Sequence, residues 1–261
     1  MTEDLDRGGE SEPELVAGTS RRGFLKVLAA AGGAVGAGYL LTNVTVPASA
    51  SVGRTRRWTM LIDLRRCDGC KKCTEACRVE HNVPEGQEWI RVFTKEETDG
   101  AYNLPRPCMH CEKPPCVKVC PVKATFRSTD GLVLIDEGLC IGCRYCMAAC
   151  PYDARSFTWS EPVAPEVDED PLDPTRGHDD HRRGIVEKCT FCAHRLDEGR
   201  LPACVEGCPM QAIYFGDANE DFLSNGVEVI RLSEALRTQQ SFRWKEELGT
   251  EPRVFYLPAR R

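Results

Sequence analysis

Apolar residues come in short bursts along this chain, separated by long polar stretches, and most bursts are no longer than one strand. Residues 1–18 are acidic and polar with no period, and are expected to be disordered. An apolar stretch follows at 27–41, interrupted by Gly32, Gly33, Gly36 and Gly38. At about 15 residues it is short for a membrane-spanning helix, which needs about 20. Trp58-Thr59-Met60-Leu61-Ile62-Asp63 predicts a short strand, and Leu132-Val133-Leu134-Ile135 is a second compact apolar run. Residues 160–184 hold eight acidic side chains with Pro162, Pro165, Pro171 and Pro174 and no apolar period, the pattern of a solvated loop. Beyond it, 212–215 predict a strand and 252–257 an extended tail. Residues 233–239 predict a helix, with Leu232, Ala235 and Leu236 falling on one face. No run after residue 50 is long enough to cross a bilayer, so that part is expected to be soluble or held peripherally.

What changes this picture is cysteine. The chain has 261 residues and 16 cysteines. All sixteen fall into four groups of four: Cys67, Cys70, Cys73, Cys77; then Cys108, Cys111, Cys116, Cys120; then Cys140, Cys143, Cys146, Cys150; and finally Cys189, Cys192, Cys204, Cys208. A disulfide scaffold scatters its cysteines singly through small loops, which does not match this grouping. Four zinc sites built on the C-x2-C pairs form an alternative of another class. The run Cys140-x2-Cys143-x2-Cys146-x3-Cys150-Pro151 is the ligand spacing of a bacterial-type iron–sulfur centre. Thiolates are soft anionic donors suited to iron in a sulfide cage. In two-cluster units the fourth cysteine of each run ligates the other run's cluster.

The groups are related by duplication. Ile62-Asp63 before Cys67 and Gly69 before Cys70 recur as Ile135-Asp136 before Cys140 and Gly142 before Cys143, at an offset of 73. Glycine there lets backbone N–H groups approach sulfur. Cys116-Val117-x2-Cys120-Pro121-x2-Ala124 recurs as Cys204-Val205-x2-Cys208-Pro209-x2-Ala212, at an offset of 88. The chain therefore carries two ferredoxin units. Groups two and three, about twenty residues apart, pair most naturally, and groups one and four then form the other unit around them. Sequential pairing is the alternative, and it needs connections of about thirty and thirty-eight residues. The expected fold is α+β: two bacterial ferredoxin-like units, one inserted in the other, with irregular cluster-binding loops. Residues 51–107 and 160–261 form the outer unit, 108–159 the inserted one, and 1–50 the leader.

Ser20-Arg21-Arg22-Gly23-Phe24-Leu25-Lys26 ahead of the apolar stretch resembles a twin-arginine (Tat) export signal, with Ala48-Ser49-Ala50 as its cleavage site. An uncleaved anchor is the alternative. Export in the folded state suits a protein whose clusters are inserted beforehand. The net charge of −6 offers no footprint for nucleic acid, and each oxidised cubane with four thiolates adds about two further negative charges. His178-Asp179-Asp180-His181 reads as an exposed turn rather than a divalent-metal site. His110 and His194, beside ligand cysteines, are expected to donate hydrogen bonds to carbonyls or shield a cluster. No nucleophile with its base and no phosphate-binding loop is visible, so the chain is expected to be no enzyme by itself.

Taken together, the four groups resemble the four-cluster ferredoxin subunits of membrane-bound molybdopterin oxidoreductases, such as dimethyl sulfoxide, polysulfide and tetrathionate reductases. The resemblance covers nearly all of 58–258. It rests on Cys108-x-His110-Cys111-x2-Pro114-Pro115-Cys116-Val117-x2-Cys120-Pro121, on Lys188-Cys189-Thr190-x-Cys192-x-His194-Arg195, and on Leu248-Gly249-Thr250-x-Pro252-Arg253-Val254. It implies four [4Fe-4S] clusters. Their ligands would be Cys67, Cys70, Cys73 and Cys208; Cys77, Cys189, Cys192 and Cys204; Cys108, Cys111, Cys116 and Cys150; and Cys120, Cys140, Cys143 and Cys146. One departure is Arg78, where proline usually follows the fourth cysteine. The implied partners are a catalytic molybdopterin-type subunit, an integral membrane quinone-interacting subunit and the Tat machinery, at the extracytoplasmic face of the membrane. A hydrogenase or a sulfite-reduction-linked transmembrane complex would use the same relay. Ligand identity alone does not set cluster potentials, which span about −700 to +450 mV.

Overall fold

A computed structural model describes residues 56–97, 100–161 and 181–259. The 1–18 segment, the twin-arginine motif, the 48–50 site and most of the acidic loop, including His178, Asp179 and Asp180, lie outside the described residues.

The expected first strand is β1 (Trp58–Asp63), with Met60, Leu61 and Ile62 fully buried. A strand apolar on both faces needs cover on both, and β1 sits inside a five-stranded sheet. The chain continues through α1 (Lys72–Glu80), which carries Cys73 and Cys77, to the hairpin β2 (Arg91–Glu97) and β3 (Gly100–Arg106). Next come α2 (Pro115–Lys118), the hairpin β4 (Thr125–Arg127) and β5 (Val133–Ile135), α3 (Tyr145–Ala148) and β6 (Ser156–Phe157). After the acidic loop follow β7 (Val186–Glu187), α4 (Ala193–Asp197), α5 (Ala203–Glu206), β8 (Ile213–Asp217), β9 (Phe222–Ser224), β10 (Val229–Arg231), α6 (Leu232–Thr238) and β11 (Val254–Leu257). The large sheet has the order β10-β9-β8-β1-β11, with β1 antiparallel to β8 and parallel to β11.

The predicted strands at 58–63, 212–215 and 252–257 and the helix at 233–239 are thus present with boundaries moved by one or two residues. Leu232 and Ala235 are buried and Leu236 packs beside them, as the apolar face of α6 requires. The β2–β3 hairpin, β9 and β10 have no counterpart among the predicted elements.

Backbone conformation repeats with the sequence. Lys71 and Arg144, 73 residues apart, both adopt the left-handed region, with φ 60° and 62°, at the N-termini of α1 and α3. Gly69 and Gly142 share positive φ, 83° and 68°. Such values are uncommon for residues bearing a side chain, so their recurrence marks one loop design used twice. In the other pair, Pro114 and Pro202 each open a four-residue helix. In space α1 packs against α5, which joins groups one and four, and α2 against α3, which joins groups two and three. The two-stranded sheet β6–β7 lies across the boundary expected near 159, and the described residues belong to one compact unit.

The tail before β11 works as a strap. Glu112 and Lys113 donate backbone hydrogen bonds to the carbonyls of Glu251 and Thr250, and Arg253 donates to that of Met109. The loop carrying Cys108 and Cys111 is thereby tied to the large sheet.

Candidate iron–sulfur sites

Short helices and tight turns deliver the cysteines: each helix among α1, α2, α3 and α5 contributes at least one, and the turns before and after them supply the rest. No two of the sixteen are joined in a disulfide. One cavity is lined by Cys67, Cys70, Cys73 and Cys208, with Val92, Pro105 and Ile213 around them. Another is lined by Cys108, Cys111, Cys116 and Cys150, with Met109, Pro115, Val133 and Tyr152. Cys67 and Cys208 are 141 positions apart, so no local chain preference explains their meeting. A third gathering is read from electrostatics. Burial, then the sulfur charges of Cys192, Cys189 and Cys77, push the Cys204 thiol well above its ordinary value. For the remaining group, Cys146 is influenced by Cys140 and Cys116. Cys120 follows α2, which packs on α3, and Cys143 is exposed in the loop leading into α3.

The chemistry of these sites fits a cage of several irons better than one ion. Among the described residues, no three His, Cys, Asp or Glu side chains are grouped to hold a single metal ion. A tetrahedral zinc would need its sulfurs within about 2.3 Å of one centre. Burial pushes the thiols of Cys73, Cys111 and Cys192 up to about 12, and that of Cys189 to about 11. Thiols so placed ionise at neutral pH only against a strongly cationic core. Backbone donors are already aimed at sulfur: Thr125 N–H at Cys120 Sγ, Phe191 N–H at Cys189 Sγ and Ala212 N–H at Cys208 Sγ, each 3.4 Å. Burial alone would raise the Cys120 thiol, but the N–H groups of Thr125, Val122, Ala124 and Lys123 outweigh it and leave it lowered. Donors of this kind tune iron–sulfur potentials. The Gly69 N–H likewise serves Cys67, in keeping with the role expected of that glycine.

His110 is fully buried, stacked at 3.8 Å on Phe191. Its Nδ1 accepts from the Val133 N–H (3.1 Å) and its Nε2–H donates to the Cys189 carbonyl (3.1 Å). Burial, with the nearby charges of Lys188, Arg253 and Arg155, holds its pKa well below the usual histidine range. It is a neutral cross-tie between two cysteine loops, donating to a carbonyl as expected. His194 differs: its Nε2 meets Glu80 Oε1 at 2.8 Å, a carboxylate rather than a carbonyl. The histidine that touches sulfur is one the sequence did not single out, His81, with Nε2 3.1 Å from Cys192 Sγ. It stands four residues after Cys77, where the other groups have Ala124, Ala154 and Ala212, and that substitution was the available signal.

His181 corrects the exposed-turn expectation. Its side chain is nearly buried, and its ring nitrogens bond to Glu187 Oε1 (2.8 Å) and the His81 carbonyl (2.7 Å). Arg155 and Lys188 are both buried, and Arg155 was singled out for no role in the sequence. The Lys188 ammonium donates to the carbonyls of Val133 and Cys189.

Comparison with known proteins identifies the type of domain and the family. Models of the 4Fe-4S dicluster domain match residues 66–124 and, separately, 99–168 with 171–218. The chain is 42% identical to a selenate reductase subunit of Mesobacillus selenatarsenatis, over 77% of this chain and 72% of the relative. It is 41% identical to the iron–sulfur cluster-binding subunit of menaquinone reductase from Nitratidesulfovibrio vulgaris, over 78% and 89%. A tetrathionate reductase subunit of Salmonella typhimurium is 40% identical, over 77% and 72%. Sulfur-lined cavities, donors aimed at sulfur and these likenesses converge: the chain belongs to the family of 4Fe-4S iron–sulfur subunits that transfer electrons in oxidoreductase complexes.

Proposed function

We propose that the chain holds four [4Fe-4S] clusters in two interlocked ferredoxin units and relays electrons between a quinone-reactive membrane subunit and a molybdopterin-bearing catalytic subunit. The ligand sets are Cys67, Cys70, Cys73 and Cys208; Cys77, Cys189, Cys192 and Cys204; Cys108, Cys111, Cys116 and Cys150; and Cys120, Cys140, Cys143 and Cys146. The observation that carries this reading is the cavity where Cys208 completes a quartet with Cys67, Cys70 and Cys73. A fourth ligand from so far along the chain is what crossed ligation between two runs produces.

The clusters supply one-electron redox chemistry; the chain supplies ligands, burial and N–H donors that set each potential. Cys70 and Cys143, at matching repeat positions, are the two exposed cysteines and are natural points of entry and exit. Around Cys143 lie the exposed apolar side chains Leu139, Ile141 and Tyr145, with Trp159 held near by Arg144. An apolar surface suits the membrane subunit. The Cys70 end opens instead on a cavity of ≈ 470 Å³ walled by Lys71, Lys72, Glu75, Arg78 and Glu88, which suits a polar catalytic partner. The menaquinone reductase relative supports a quinone-side partner. The twin arginine at 21–22 supports Tat export with cleavage after Ala50, and hence a place on the extracytoplasmic face.

Counting iron and sulfide in the assembled holoprotein tests the proposal. About sixteen irons are expected from four cubanes. A value near eight, or colourless protein containing zinc, would overturn it.

A further inference from the structure

Arg155 is 2% exposed and no Asp or Glu is paired with it among the described residues. Its Nη1 donates to Thr125 Oγ1 at 3.3 Å, and its Nη2 is buried without a hydrogen-bond partner. A buried guanidinium lacking a carboxylate is costly unless another anion offsets it. The anions at hand are sulfurs. Arg155 lines the cavity of Cys108, Cys111, Cys116 and Cys150. Its partner Thr125 in turn directs its backbone N–H at Cys120 Sγ, from the quartet with Cys140, Cys143 and Cys146.

The sequence shows that this placement is particular. Thr125, Arg155 and Ile213 occupy the same place in three copies of Cys-Pro-x-x-Ala-x, beginning at Cys120, Cys150 and Cys208. Thr125 and Arg155 meet across the middle of the inner unit, whereas Ile213 is packed into the main apolar core. One copy of the repeat therefore carries a cation, and it stands where two quartets adjoin.

We propose that Arg155 is a shared counter-charge for the two clusters of the inner unit, raising the reduction potentials of both. This rests on the four-cluster reading above. Reduction of either cluster adds one negative charge beside a fixed positive one in a poorly solvated setting, so the reduced form gains more than the oxidised form. The same charge lessens the repulsion one reduced cluster exerts on its neighbour. Lys188 is a separate cation, beside Cys189 of another quartet, and is untouched by changes at 155.

The test is an EPR-monitored redox titration of holoprotein carrying R155M or R155K, with iron counted in each. In R155M two of the four midpoints are expected to fall by the equivalent of tenfold or more in the reduction equilibrium, about 59 mV for one electron. The other two should hold their places, with iron content equal to wild type. R155K keeps the charge in a compact form that cannot fork to both quartets, so the two inner midpoints should move by smaller, unequal amounts. Four unchanged midpoints in R155M, or an equal shift of all four, would overturn the proposal. Should R155M lose its inner clusters, R155K decides: inner midpoints both at wild-type values would overturn it. Wild-type protein with fewer than four clusters would instead defeat the underlying reading.

Discussion

A Cβ on Gly142 would sit 2.1 Å from the Gly184 carbonyl oxygen, a backbone atom, while one on Gly69 would meet the Asn103 side chain at 2.7 Å. Both glycines hold positive φ, so both resist substitution, but only Asn103 can swing away. G142A is therefore expected to lower stability by about 1–3 kcal/mol, and G69A by less, which thermal unfolding of the two holoproteins would compare. The glycines were legible as a repeat because spacing alone exposes them. Their different obstacles were not, since Gly184 and Asn103 lie far off in sequence. Arg155 was illegible for a related reason: as a letter it is one of many arginines. Its meaning comes from burial between two sets of sulfurs.

Among elements, α1, α4 and α5 are fastened together through one arginine. Arg195, 4% exposed at its side chain, donates to Glu80 Oε2 at 2.6 Å and to Glu206, with Nε on the Leu201 carbonyl. Replacing it by methionine leaves Glu80 with only His194 as partner, while half-exposed Glu206 can turn to water, so R195M should cost about 1–3 kcal/mol and speed iron release to a chelator. At the start of α6, Asp221 accepts from the Ser233 N–H and hydroxyl, both 2.7 Å, and these bonds hold its carboxyl below the usual range. A depressed carboxyl stabilises above its unfolded pKa, and that contribution fades as pH falls through the lower folded value. Hydrogen exchange of α6 amides should thus show D221A more open than wild type at neutral pH, with the difference closing in acid. β1 and α6 were readable because their apolar patterns match one element type. The β2–β3 hairpin was not, because it is only partly buried, ends β2 on Lys95, Glu96 and Glu97, and carries Pro105 inside β3 opposite Val92.

For the whole molecule, the groups of four cysteines mark candidate sites in the sequence itself, whereas the surfaces proposed for partners are spread over separated loops. The apolar face near Cys143 supplies the test. In the assembled complex, I141E is expected to slow quinol-driven reduction several-fold while iron content and reduction by a small soluble donor stay as in wild type. Equal slowing from both donors would argue against a docking role for that face. The chain's architecture also bears on how it is made. β1 finds its neighbours only in β8 and β11, the last strand of all. On the ribosome its Met60-Leu61-Ile62 core must wait, unpartnered and prone to aggregate, until some two hundred more residues have emerged. Premature termination at 249 should therefore yield insoluble, iron-poor polypeptide instead of a smaller working relay, a result that fractionation after expression would reveal.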